Sequence, residues 1–158
     1  MDTDAVSNSP EKLLEAFAAT DYRVRVDGHE YVVRIGRSLH GLDTAVGNRP
    51  WAIITACNPQ ALPLGSADNQ ARHRMLLEAA RELDLAFHPA VNRDPGKDWP
   101  DETAVLIVEP DKHALDALAK RFGQAAVVTG GNGRPASLRL YGAGWPDALP
   151  EWAGRAGR

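Results

Sequence analysis

The chain has 158 residues, of which 44% are hydrophobic and 25% charged, with a formal net charge of −3 at neutral pH. That length suits one domain with a sizeable core, and the composition is that of an ordinary globular protein. The negative balance argues against broad charge-driven nucleic-acid binding, and the one cysteine, Cys57, excludes an internal disulfide and a multi-cysteine zinc site.

The opening stretch, MDTDAVSNSPEK, is acidic and polar and lacks the basic and apolar regions of a secretory signal. No run approaches the roughly 18 apolar residues of a membrane span. The expectation is a soluble cytoplasmic protein with no membrane partner.

Residues 1–8 read as a flexible tail. Ser9 followed by Pro10 is a good helix opening, since Ser can cap and Pro at the first helical position loses no needed hydrogen bond. Leu13, Leu14, Phe17 and Ala18 then share one face, predicting a short amphipathic helix over 10–19. In YRVRVDGHEYVVRIG, Tyr22, Val24 and Val26 alternate with Arg23 and Arg25, and the apolar face returns at Tyr31, Val33 and Ile35 after an Asp27-Gly28 turn. This pattern predicts a β-hairpin. Residues 38–46 form a candidate short helix.

Trp51 to Ala56 is apolar without alternation apart from Thr55, as in a strand covered on both faces. After a loop, Ser66 can cap a helix of about 18 residues, with a buried stripe at Ala71, Met75, Ala79, Ala80 and Leu83 and with Leu76 at its margin. Further strands are expected in LAFHPAVNR, TAVLIVE, AAVVTGG and SLRLYG, and a helix from Asp111 to Gly123. The tail AGWPDALPEWAGRAGR carries too many Gly and Pro residues for regular structure.

From Trp51 onward the order is strand, helix, strand, strand, helix, strand, the split βαβ order. The expected fold is α+β: a ferredoxin-like (βαββαβ) core with helices on one face of a mostly antiparallel sheet. An N-terminal helix and hairpin and a C-terminal strand would extend it. Residues 9–142 would be a single domain and 143–158 an irregular C-terminal tail. A three-layer α/β sandwich is the alternative, because the 51–56 strand reads as buried on both sides.

The loop after that strand is the main candidate site. The carboxyl end of a buried strand leading into a helix commonly holds ligands, and the first helical turn offers free backbone N–H groups and a positive dipole end. Asn69, Arg72, His73 and Leu76 share a stripe there, and Asn58 reaches it from the loop. Arg72 is a candidate bidentate partner for an anion. Read more plainly, Ser66 and Asn69 cap, Asn58-Pro59 turns, and Arg72 snorkels.

Cys57 would need a nearby base to act as a nucleophile and reads better as a packed residue. The five histidines show no HxH or HExxH spacing, so no metal site is expected. Arg23, Arg25, Arg34 and Arg37 are interrupted by Asp27 and Glu30, which favours a solvated sheet face over a nucleic-acid surface. The glycine-rich GGNGRP lacks the Lys-Ser/Thr of a phosphate loop. Trp99 and Glu102 could border a pocket, and Gln124 follows a helix-ending glycine.

Three pieces together, WAIITACNP…S…N..R, W.DE…VLIVE and RFGQAAVV, resemble a bacterial family known only as domain of unknown function number 3293. The resemblance spans roughly residues 20 to 130 and implies a small stand-alone bacterial protein. Its matching positions are Thr55, Asn58, Pro59, Ser66, Asn69, Arg72, Trp99, Glu102, Phe122, Gly123 and Gln124. The resemblance supplies no activity, but it implies that these distant polar residues serve one site.

The leading expectation is a pocket for a small anionic or nucleotide-like ligand where strand 51–57 meets helix 66–84. Asn58, Asn69 and Arg72 would hold the ligand, assisted by Ser66, with Trp99 as an apolar wall and Glu102 or Gln124 as a polar counterpart. If the pocket is catalytic, Glu102 is the carboxylate for general acid/base work. The sequence indicates no particular cofactor. The alternative is a protein-interaction or homo-oligomerisation module using the hairpin edge or Trp145 and Trp152.

Overall fold

The computed structural model describes residues 9–157, so the expected tail at 1–8 lies outside the described residues. Four α-helices, a short 3-10 turn and one eight-stranded sheet are found among them. Helix α1 (Pro10–Ala19) opens as the sequence predicts, Ser9 accepting from the Lys12 N–H with Pro10 in the first turn. The hairpin follows as β1 (Asp21–Val26) and β2 (His29–Val33), turning at Asp27 and Gly28, both with positive φ. Helix α2 (His40–Ala45) precedes β3 (Pro50–Thr55). A 3-10 turn at Pro59–Ala61 leads to α3 (Ser66–Glu82), then β4 (Phe87–Arg93) and β5 (Glu102–Val108). Helix α4 (Lys112–Arg121), capped by Asp111, leads to β6 (Ala126–Gly131) and β7 (Arg134–Leu140).

The sheet order is β2-β1-β4-β5-β3-β6-β7-β8, antiparallel except for the last pair. This is a wider sheet than a four-stranded ferredoxin-like core, and it curls. Beyond β2, Ile35 forms a parallel bridge with Ala136 of β7. There the Gly36 N–H donates to the Ala136 carbonyl at 2.7 Å, and the Ala136 N–H to the Arg37 carbonyl at 2.9 Å. The two ends of the strand array thus meet, and one face of the sheet becomes an interior.

Residues from β1 through β7 fill that interior, among them Val24, Val33, Ile53, Leu106, Val128 and Leu138. Helix α1 adds Leu14 and α2 adds Leu42 to the same core. On the outer face, Leu76, Ala79 and Ala80 of α3 and Leu115, Leu118 and Ala119 of α4 pack on Ala52, Ile54, Val105 and Ile107. Helices therefore cover both faces, where the ferredoxin-like expectation had them on one. The physical cause is the one the three-layer alternative rested on: β3 is buried along nearly its whole length, so each of its faces needs a cover.

Three local expectations change. The tail is not wholly irregular: β8 (Ala153–Arg155) pairs parallel with β7, and Trp145, Leu149 and Trp152 pack against the interior core. Gly65, not Ser66, occupies the α3 N-cap position, with no side-chain cap bond, and Ser66 is the first helical residue. The buried stripe of α3 keeps Ala79 and Ala80 but centres on Leu76, which is fully buried, while Met75 is 47% exposed and Leu83 is exposed too.

No helix among the described residues is long and apolar enough to cross a membrane. The hairpin arginines are partly ion-paired, Arg23 with Asp21 and Glu30, and Arg34 with Asp21.

Candidate functional site

The carboxyl ends of β3 and β4 and the amino ends of β1, β5 and β6 lie at one end of the curled sheet. The register there aligns Tyr22 with Asn92 and Asn92 with Glu102, so one cross-strand row projects these three side chains inward. Thr55, next along β3, joins them. Helix α1 and the loops at 58–63 and 94–100 rim this end and leave a cavity of about 100 Å³. Its walls include Leu13, Phe17, Ile53, Trp99, Val128 and Leu138, with Asn58, Asn92, Glu102 and Gln124 among its polar groups.

Glu102 is the charged group deepest in the polar row. Its Oε2 accepts from Asn58 Nδ2 at 2.6 Å. Burial pushes its carboxyl above the ordinary value, and the amides of Asn58 and Asn92 pull it partly back. Burial likewise raises the Tyr22 phenol, and the nearby Glu102 adds to that. Tyr22 donates to the Phe17 carbonyl at 2.8 Å, which fixes the end of α1 over the sheet.

Asn58 takes the left-handed conformation (φ 49°, ψ 64°), which asparagine tolerates better than most residues. Its backbone N–H donates to Asn69 Oδ1 at 3.0 Å, and its Oδ1 accepts from Asn69 Nδ2 and the Leu64 N–H, each at 2.9 Å. Gln60 and Ala61 also have positive φ. The loop is held by Gln60, whose backbone N–H and Nε2 both donate to the Gly123 carbonyl. On the other rim, the Asp94 carboxylate accepts from the N–H groups of Gly96, Asp98 and Trp99, setting the loop that presents the indole.

Of the residues expected at the site, Asn58, Trp99, Glu102 and Gln124 line this cavity, whereas Ser66, Asn69 and Arg72 do not. Asn69 buttresses Asn58 from behind. Arg72 Nε donates to the Ala56 carbonyl at 2.6 Å and its Nη2 to the Phe122 carbonyl, with the guanidinium 5.8 Å from the Phe122 ring centre. It ties the end of β3 to the end of α4. Gln124 Nε2 does similar work, donating to the carbonyls of Cys57 and Phe122. Ser66 is exposed and accepts only from Gln70. Cys57 is buried, with its Sγ 3.6 Å from the Thr103 carbonyl oxygen and no histidine bonded to it.

The polar set thus divides about β3. The helix-start residues brace the loop, and the cavity opens on the opposite face of the sheet. Tyr22, Asn92 and the α1 residues Leu13 and Phe17 were not expected at the site. Only the register that places Tyr22, Asn92 and Glu102 in one row brings them there, and Tyr22 could be seen in the sequence only as a strand residue facing inward. No Lys, Arg or His among the described residues lines the cavity. No group of three or more His, Cys, Asp or Glu that could hold a metal ion is found among the described residues.

Residues 54–127 match a family model described as "Protein of unknown function (DUF3293)". No curated protein and no solved structure matches the chain. The matched span contains Asn58, Asn69, Arg72, Trp99, Glu102 and Gln124, and stops short of α1, Tyr22 and β7.

Proposed function

With residues 54–127 matching the DUF3293 family model, whose description carries no activity, we propose that this protein binds a small molecule in the cavity at the open end of its curled sheet. The observation that carries this reading is the Glu102 carboxyl, largely withdrawn from water at the inner end of a mainly apolar cleft and held by amides instead of a cation. Burying a carboxylate without a cationic partner costs several kcal/mol, on the order of what replacing water by a few hydrogen bonds can offset. Groups kept in such surroundings, in a concave site with few polar residues, are candidates for ligand contact. The mouth of a curled sheet is a familiar place for one small ligand.

The ligand has an apolar body against Phe17, Ile53 and Trp99 and a polar head at Glu102 and Asn92. An anionic head fits poorly, since the lining offers the carboxyls of Glu102 and Asp94 and, among the described residues, no cation. Glu102 is also the group placed to exchange a proton with a bound molecule, should the site be catalytic. The tail reading draws less support, because Trp145 and Trp152 pack inward against the core.

We also read β6-β3-β5-β4, antiparallel throughout with α3 and α4 on its outer side, as a ferredoxin-like unit widened at both edges. Residues 9–142 and the tail would then form one domain.

A thermal-shift screen of small neutral, cationic and anionic molecules tests the binding reading. A compound at about 100 times its dissociation constant adds roughly 2.7 kcal/mol to apparent stability. Trp99→Ala, which removes one wall, is expected to abolish the shift. Shifts that persist in this variant, or a screen with none, would overturn the reading.

A further inference from the structure

The hydrogen-bonding groups around the cavity are unevenly engaged. Its three hydroxyls all donate to backbone carbonyls: Thr20 to Ala16 at 2.7 Å, Tyr22 to Phe17 at 2.8 Å and Thr55 to Thr103 at 2.7 Å. The Gln124 amide donates to two more, Cys57 and Phe122. Asn58 directs its amide nitrogen to Glu102 and has its oxygen filled by Leu64 and Asn69. Of the buried polar side-chain atoms in the lining, the one left without a partner is an acceptor. Asn92 Oδ1 is buried with no hydrogen-bond partner among the described residues, on the residue directly across the strand pair from the Glu102 carboxyl.

A buried acceptor without a donor costs about 1–3 kcal/mol, so the polar row is completed by a ligand that brings donors. A carboxylate beside an orphan amide oxygen, with no cation in the lining, complements a group carrying several N–H bonds and a positive charge. A primary ammonium has three donors and no acceptor. Charge-assisted bonds to a carboxylate are stronger than neutral ones, and the apolar walls raise their worth further by excluding water.

Resting on the small-molecule reading above, we infer that the cavity selects primary amines: an ammonium head between Glu102 and Asn92, and a short apolar or aromatic body against Phe17 and Trp99. A carboxylate of the same shape is rejected by Glu102, and an alcohol leaves one of the two acceptors unfilled.

The test uses three probes with one aromatic body, 2-phenylethylamine, 2-phenylethanol and 3-phenylpropionate. They are titrated by protein NMR into the native chain, Glu102→Gln and Asn92→Ala. The amine is expected to bind roughly tenfold or more tightly than the alcohol, with the carboxylate weakest. Glu102→Gln lowers amine affinity by a similar factor and leaves the alcohol little changed, and Asn92→Ala weakens the amine without loss of dispersed spectra. Should Glu102→Gln not fold, Asn92→Ala and the probe order decide. Equal or tighter binding of 3-phenylpropionate, or amine affinity indifferent to both substitutions, overturns amine selectivity while leaving a small-molecule site in place. Failure of all three probes to shift cavity resonances overturns both.

Discussion

Glu102 sits where a carboxyl is least comfortable charged, and this has a measurable sign. Its ordinary value is near 4.5, and burial raises it. Between the ordinary and the raised value the folded chain therefore holds more proton than the unfolded chain, and stability falls as pH rises through that window. Glu102→Gln removes this loss. The difference in unfolding midpoint, variant minus native, should become more positive as pH is raised from about 4 to about 7, measured by circular dichroism melts. Taking the difference cancels Asp116, whose carboxyl is held below its ordinary value by the Arg139 guanidinium and which runs in the opposite sense. A flat difference would mean that the carboxyl is not penalised by its site.

At the scale of elements, the junction of β3, α3 and α4 depends on one guanidinium. Arg72 supplies donors to the carbonyls just past the ends of two different elements, and no other side chain among the described residues is bonded to the Ala56 carbonyl. Arg72→Ala leaves both acceptors without that partner and should cost about 2–3 kcal/mol, with little direct effect on the cavity it does not line. Urea denaturation would show this as a lower midpoint at unchanged slope. The opposite outcome, native stability with ligand binding lost, would return Arg72 to the ligand-contacting role its spacing first suggested.

The same residue shows what could be read beforehand. The α1 opening, the hairpin and its turn, the doubly buried β3 and the α4 cap all follow from local chemistry, and they stand where the spacing put them. The α3 stripe does so only in part: Ala79 and Ala80 are buried as expected, but the line runs from Arg72 through Leu76 and leaves Met75 and Leu83 exposed. A charged residue at its head disguises the phase, so that Met75 reads as inward from its spacing. Asn58, Trp99, Glu102 and Gln124 were legible as polar or aromatic residues out of place. That they face the side of the sheet away from the α3 N-terminus was not, since it depends on which strands lie beside which. A cross-strand row such as Tyr22, Asn92 and Glu102 spans some 80 positions of sequence and has no local signature.

For the whole molecule, the arrangement explains how a chain of 158 residues can hold both a closed core and a cavity. The sheet is wide enough to curl, α1 covers one end only in part, and α2 seals the other. Asp43 of α2 reinforces that seal, accepting from Trp51 Nε1 at 3.4 Å and from the Gly133 N–H at 2.9 Å. Covering the outer face with α3 and α4 leaves the interior to α1 and α2, and the end under α1 becomes the one with room.

The seam at Ile35–Arg37 and Ala136 also bears on how the protein behaves among copies of itself. Along its outer side β7 is met first by this seam and then by β8, where Leu138 donates to the Trp152 carbonyl and Ala156 to the Leu140 carbonyl. Together they occupy the row of backbone groups that would otherwise template a foreign strand. Gly36 makes the approach with φ 87°, a conformation that a β-branched residue resists. Gly36→Val should therefore open the seam and cause concentration-dependent association greater than its loss of melting temperature accounts for, as light scattering over a dilution series would reveal. A variant whose scattering matches that of the native chain at every dilution would show that β8 alone suffices to keep neighbours apart.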